Sequence, residues 1–505
     1  MDDETLRRAV NATLMPGFEG PDLPGWLAAE LAEGLGSVCL FSTNIVDAGQ
    51  VRALTDAIHA ANPAALVATD EEGGDVTRLH HAAGSPYPSM ASLGHLDDED
   101  MTERVGFGIG AELLAAGIDL NLAPDADVNS NPRNPVIGVR SFGADAGLVG
   151  RHVAAYTRGL QAAGTAACAK HFPGHGDTAT DSHLALPTIT VDAATLAARE
   201  LVPFRAAVEA GTLAVMTSHI LVPSIDPDLP ATLSAPVLAL LREDLGFTGA
   251  IVSDALDMAG ASGGGRGIPE AAVLALAAGC DLLCIGTDNT AEQLAEIRAH
   301  VLAAVAEGRL PQTRLLDAAE RVAALSAAVA ALRDAPGSFL TRSSSGTVKP
   351  QDPRGEARHE GPPPLSASGF WLRGPVAPLT APVFLRLAST ANIAAGDTVW
   401  GVAEHLADEL ADRLPGSTCA DAADLAGLAS VLDASAGRPL VVQGRDLARV
   451  PFLVDATAMV LQRRPDALVV ELGWPELPGA IDIATYGSGR GAATCLIRLL
   501  AEGSR

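Results

Sequence analysis

Through the first 330 residues, short apolar runs alternate with longer stretches of mixed character. The runs are "RAVNATLMPG", "GSVCLFS", "AALVATD", "GIDLNLAPD", "TAACAKHFPG", "LAVMTSHI", "GAIVSDA" and "CDLLCIG". Between most of them lie amphipathic stretches such as "DAGQVRALTDAIHAA" and "DAGLVGRHVAAYTRGLQAAG". A short apolar run bounded by turn residues reads as a buried strand, and a longer stretch with helical spacing reads as a helix packed on it. Strand then helix, repeated, predicts a parallel sheet. Eight such units fit a closed (β/α)8 barrel of the TIM type better than an open doubly wound sheet. An open dinucleotide-binding sheet would need a glycine-rich turn after an early strand, and the glycines of "DEEGGDV" lack that spacing.

The pattern changes after Leu332. "DAPGSFLTRSSSGTVKPQDPRGEARHEGPPP" is rich in Ser, Gly, Pro and charge and reads as a linker or surface excursion. Apolar runs resume with "VFLRLAS", "DTVWGVA", "RPLVVQG" and "DALVVELGW". The predicted organisation is a barrel over 1–335, a linker over 336–365 and a smaller, sandwich-like α/β domain over 366–505. In "DIATYGSGRGAATCLIRLL" the glycines sit between a strand and a helix. A capped strand-to-helix turn is expected there; the alternative, a phosphate-binding turn, rests on a short glycine motif of a kind that often matches falsely.

Composition narrows the function classes. A formal net charge of −27 argues against a nucleic-acid partner, which requires a basic footprint. Aromatic residues make up only 4% of the chain, which favours a small polar pocket over a long cleft paved with stacking rings. No run of eighteen apolar residues is present, so no membrane span is expected. "MDDETLRRAV" does not read as a secretory signal. Six cysteines, of which only Cys280 and Cys284 are close in sequence, predict buried free thiols in a reducing, cytoplasmic setting.

The polar residues that end the apolar runs carry the chemistry. Asp70, Asp125, Lys170–His171, Ser218–His219 and Asp254 all fall at predicted strand ends, and in a barrel those ends converge on one face. The loop "AKHFPGHGDTATDSH" (169–183) adds His175, Asp177, Asp181 and His183. These are metal-ligand types, but Pro173 and Gly174 exclude a helical pair of histidines, and neither metal nor cofactor is expected. A structural reading, in which a histidine hydrogen-bonds backbone, suits His175 best. Proton transfer is the third reading: Asp181, two residues before His183, can hold one ring nitrogen and raise the basicity of the other.

"KHFPGHGDT…DSH" resembles the signature of the family 3 glycoside hydrolases, in their β-N-acetylglucosaminidase branch. "DEEGGDVTR" looks like that family's sugar-binding segment, "NPVIGVRSFG" like its arginine loop, and "IVSDALDM" like the strand end bearing its nucleophile. The resemblance covers residues 1–335. It implies that Asp254 is the nucleophile, His183 the general acid/base and Asp181 its orienting partner. It implies further that Asp70, Arg78, Arg140, Lys170 and His171 hold the hydroxyls of the terminal sugar, with His219 at the pocket wall. Two positions depart from the family pattern: Asp75 stands where many relatives have Arg, and Ala255 where many carry a second acid. As an isolated residue Asp254 would also fit a helix N-cap, and Arg140 and Lys170 would fit structural ion pairs.

The implied reaction is retaining removal of terminal β-linked N-acetylglucosamine from small cell-wall or chito-oligosaccharide fragments. A neutral imidazole acid/base would not repel phosphate, so phosphorolysis at the same site is the alternative. The implied partner is a small glycoside, with neither nucleic acid nor membrane.

Overall fold

The computed structural model describes residues 3–178, 186–334, 340–342, 348–350, 363, 365–389, 394–396, 398–476 and 479–504 of the chain. They form two compact units. The first comprises 1–71, 99–134 and 144–361; the second comprises 72–98, 135–143 and 362–505.

All eight expected strands form in the first unit: β1 (Leu14–Pro16), β2 (Ser37–Leu40), β3 (Leu66–Thr69), β4 (Leu120–Asn121), β5 (Ala166–Phe172), β6 (Ala214–Thr217), β7 (Ala250–Ser253) and β8 (Leu282–Gly286). From β2 to β8 each pairs in parallel with the next, and β8 pairs in parallel with β1. The segments before β1 and β2 also meet, where the Gly36 N–H donates to the Asn11 carbonyl at 3.0 Å. The sheet therefore curls into the (β/α)8 barrel that the alternation predicts. Its helices start where the sequence supplies caps. Asp47, Asp145 and Thr290 accept backbone N–H groups from the first turns of Ala48–Ala61, Ala146–Ala162 and Ala291–Ala306. The first of these helices buries Val51, Leu54, Thr55 and Ile58, one face at helical spacing, and each apolar member contributes roughly 2 kcal/mol.

Side chains alternate across a strand, so every second residue faces the barrel interior. Leu66 and Ala68, Ala166 and Cys168, Ala214 and Met216, Ala250 and Val252, and Leu282 and Cys284 form that packed interior. Two positions further along their chains stand Asp70, Lys170, Ser218 and Asp254. The rule that fills the core with small apolar groups thus carries polar groups to the carboxyl ends of the strands.

The second unit is built on a mixed sheet of six strands: β9 (Trp371–Leu372), β10 (Val383–Leu387), β11 (Thr418–Ala422), β12 (Leu440–Gly444), β13 (Leu468–Glu471) and β14 (Ile483–Ala484). Their order is β9-β14-β13-β12-β10-β11, parallel except at β9. Phe384, Val441, Val470 and Ile483 face one layer, which includes Leu496 and Leu500 of helix Arg490–Glu502. Val383, Leu385, Val442 and Val469 face the other, with Leu428 and Leu453. Segments 72–98 and 135–143, from within the first 335 residues, belong to this unit. The glycine turn before helix Arg490–Glu502 helps to hold them: Gly489 caps the helix, and the Ser488 N–H donates to the Asp75 carboxylate at 2.6 Å. Asp75, the departure from the family pattern, here supplies an anion at a helix N-terminus. No described helix is long and apolar enough to cross a membrane.

Candidate active site

In the first unit the strand ends are tied together by polar contacts. The Asn121 side chain accepts the Glu71 N–H at 2.9 Å and donates to the Glu71 carbonyl at 2.8 Å, extending the pairing of β3 with β4 just past Asp70. Lys170, on β5, is 2% exposed, and its Nζ donates to Asp70 Oδ1 at 2.6 Å. The segment after β4 follows β5 further: the Lys170 N–H donates to the Pro124 carbonyl, and Asp125 bridges to Lys170.

That register sets Asp127 beneath the histidine loop. The His171 Nδ1–H donates to Asp127 Oδ2 at 2.8 Å, while the His171 and His175 N–H groups donate to Asp127 Oδ1 at 3.3 and 2.5 Å. Burial alone would raise the Asp127 carboxyl, but His171 and His175 outweigh it and hold the carboxyl below its ordinary range. His175 moves the other way. Burial, opposed by Asp127 and reinforced by His171, brings it down to about 4, so its ring is neutral at pH 7. Its Nδ1 pairs with the Thr178 hydroxyl at 2.7 Å. The Asp254 carboxylate is near enough to His175 to favour its protonated form slightly. Asp125, Asp127 and His171 each bring a ligand atom within 4.8 Å of the others, and His171 and Asp127 are also joined by the hydrogen bond above.

The root of the loop is fixed. Asn134 Nδ2 donates to the His175 carbonyl at 2.8 Å, and Arg199 donates to both Asp177 and Glu200 at 2.6 Å. Gly176 permits a close approach: a Cβ there would stand 1.7 Å from the Val128 carbonyl oxygen. Asp181 and His183 lie outside the described residues.

Asp254 follows β7 and is half-buried. It caps no helix, because the next one spans Ala259–Ser262 behind a turn. Its Oδ1 accepts the Ala255 N–H at 2.8 Å. His219, fully buried after β6, pairs through Nδ1 with the Thr232 hydroxyl and donates from Nε2 to the Ala255 carbonyl, both at 2.9 Å.

The two arginines lie in the second unit. Arg140, on the turn Gly138–Arg140, is 5% exposed and grips Glu72 with two parallel hydrogen bonds of 2.9 and 2.8 Å. This is the planar fork that suits a carboxylate. Arg78 donates to the Ala394 carbonyl at 3.0 Å. Asp70, Lys170, His171, His219 and Asp254 thus share the first unit, while Arg78 and Arg140 share the second. Asp127, Glu72, Thr217 and Thr232 were not singled out from the sequence. Asp127 had a signal available in "PDADVN", where it stands two positions beyond Asp125.

A barrel whose strand ends carry a held carboxylate beside lysine, histidine and further carboxylates has the machinery of an enzyme that cleaves glycosidic bonds. Residues 27–325 match the glycosyl hydrolase family 3 N-terminal domain. The chain belongs to glycosyl hydrolase family 3. It is similar to a β-hexosaminidase of Thiobacillus denitrificans, with 40% identity over 273 residues, covering 52% of this chain and 75% of that protein. Its structure is similar to that of a family 3 β-N-acetylglucosaminidase from Paenibacillus sp. strain FPU-7, with a TM-score of 0.83 and 30% identity, covering 99% of this chain and 98% of that one. It is also similar to NagZ of Neisseria gonorrhoeae in complex with N-trifluoroacetyl-D-glucosamine, with a TM-score of 0.50 and 32% identity, covering 62% and 97%.

Proposed function

We propose that the protein is a retaining exo-β-N-acetylglucosaminidase acting on small glycosides with a terminal β-linked N-acetylglucosamine. One observation carries the reading. Asp254 ends a barrel strand with one carboxylate oxygen held by a backbone N–H, on the same unit as the anchored root of the loop that bears Asp181 and His183. Carboxylate attack on the anomeric carbon forms a glycosyl ester with Asp254, while His183, oriented by Asp181, gives its proton to the departing oxygen. Neutral His183 then takes a proton from water, which attacks the ester and frees the sugar and Asp254.

Asp70, Lys170 and His171 hold sugar hydroxyls, and the family resemblance adds Arg78 and Arg140, with His219 at the pocket wall. The Asp127 carboxylate holds Nδ1 of His171 and so fixes the orientation of its ring. All six cysteines are free thiols, five of them buried, which supports a reducing, cytoplasmic setting and turnover of cell-wall or chitin fragments there.

An aryl N-acetyl-β-glucosaminide tests this. Wild type should release the aryl alcohol, and Asp254→Asn should lose on the order of 10⁴-fold in kcat while unfolding at the wild-type midpoint. Retained turnover removes Asp254 from the mechanism. Free N-acetylglucosamine as the product in phosphate buffer identifies water as the acceptor, and its 1-phosphate would identify phosphorolysis.

A further inference from the structure

Behind Asp254 the hydrogen bonds close on themselves. Strands β6 and β7 run in register, with Ala214 beside Ala250 and Met216 beside Val252, so Thr217 and its neighbours lie alongside Asp254 and Ala255. The turn Ala231–Leu233 folds back on the same strand end, where the Thr232 N–H donates to the Ser218 carbonyl at 3.1 Å. A Cβ on Gly260 would stand 2.6 Å from His219 Cβ, so backbone packs directly on that side chain.

The direction of each bond follows from groups whose roles are fixed. The Ala255 carbonyl only accepts, so His219 Nε2 carries a proton and donates to it at 2.9 Å. In the neutral ring Nδ1 is then an acceptor, and the Thr232 hydroxyl donates to it at 2.9 Å. Thr232 Oγ1 accepts the Thr217 hydroxyl at 2.8 Å. Thr217 Oγ1 accepts the Asp254 N–H at 3.4 Å. The Ala255 N–H donates to Asp254 Oδ1 at 2.8 Å, which completes the circuit. The Ser218 carbonyl, 2.9 Å from Thr232 Oγ1, is a second acceptor for that hydroxyl. It would take the Thr232 proton only if His219 were doubly protonated and Nδ1 donated instead.

We propose that Thr217, Thr232 and His219 form a closed ring of hydrogen bonds that sets the orientation of the Asp254 carboxylate. His219 is then a positioning residue behind the nucleophile and does not grip the sugar. The proposal rests on the reading of Asp254 as the nucleophile. The Ala255 backbone is held on both sides of its Cα, its N–H by the carboxylate and its C=O by His219, so the carboxylate cannot turn without breaking the circuit. A displacement of about 1 Å in such a group costs roughly 100-fold in rate.

Two measurements on the full chain test this. In ¹⁵N-histidine NMR spectra, His219 should show a neutral ring protonated at Nε2; a doubly protonated or Nδ1-protonated ring overturns the circuit as drawn. With an aryl N-acetyl-β-glucosaminide, His219→Ala should lower kcat about 100-fold with KM changed less than about threefold. His219→Gln keeps an N–H near the Nε2 position and should recover most of that loss. Thr217→Val and Thr232→Val, each removing one hydroxyl at constant shape, should each lower kcat about 10-fold; they carry the kinetic test if His219→Ala does not fold. A raised KM with unchanged kcat in the His219 variants would make His219 a sugar contact, and wild-type rates in both threonine variants would leave the ring without effect. Either result overturns the proposal. A wild type inactive on the aryl glycoside would instead overturn the glycosidase reading, and the NMR tautomer would still decide the ring.

Discussion

Both units end parallel strands in carboxylates, and they treat those carboxylates differently. At the end of β13, Glu471 is 1% exposed and accepts three backbone N–H groups, from Asp446 and Leu447 at 2.8 Å and from Gly473 at 2.7 Å. Burial and the neighbouring Asp446 push it up to about 8 against those donors. At the end of β7, Asp254 accepts the N–H of the next residue and stays half-buried. The strand geometry that delivers the acid is the same. In the second unit loop backbone N–H groups take up the buried carboxyl group, which works as a staple. In the barrel the carboxylate is oriented by backbone yet stays half-buried, as the nucleophile proposed above requires.

The comparison can be broken first at Glu471. Glu471→Ala leaves three N–H groups, two of them buried, without their acceptor, at about 1–3 kcal/mol each, so a loss on the order of 5 kcal/mol is expected. Thermal or urea unfolding of the full chain should show the second unit melting well before its wild-type midpoint, and an unshifted transition would refute the staple. Lys170→Met is the counterpart in the barrel. It removes the cation beside Asp70 and should lower kcat/KM about 10³-fold, roughly 4 kcal/mol of barrier, with an unfolding midpoint near wild type. A large drop in midpoint with little kinetic loss would make the Lys170–Asp70 pair structural, and the contrast between the two units would fail.

What the sequence showed, and what it hid, follows from the range of the contacts involved. The barrel was legible because each strand and each helix announces itself over a few residues, and the row of Ala68, Cys168 and Val252 points onward to Asp70, Lys170 and Asp254. Asp127 was missed although it stands in plain view two positions after Asp125. Its importance comes from the pairing of 122–126 with β5, which places it against His171, 44 residues away. Thr217 and Thr232 are ordinary residues until β6 and β7 lie side by side. The membership of 72–98 in the second unit depends on contacts such as Asp75 with Ser488, which are 413 residues apart and leave no local periodicity. Local pattern therefore located the groups at strand ends, whereas their partners waited on register.

Glu200 offers the smallest and sharpest test of the same contrast, because it is a barrel-unit acid that is buried yet incompletely satisfied. Arg199 donates to its Oε1, while Oε2 has no hydrogen-bond partner among the described residues. Burial, opposed by Arg199, lifts it from 4.5 to about 7. Between those values the folded protein keeps a proton that the unfolded chain has released, so stability should fall as pH rises through the window and level off above it. The span limits the effect to on the order of 3 kcal/mol. Glu200→Gln should remove this part of the slope, so that urea unfolding at pH 5 and pH 8 differs less in the variant than in wild type. An unchanged difference would mean that Glu200 is ionised throughout. Arg199 also holds Asp177 at the loop root, so ionisation of Glu200 draws on the cation that anchors the segment carrying Asp181 and His183. The pH at which kcat changes in wild type but not in Glu200→Gln would then report how far that anchor governs the proposed acid/base loop.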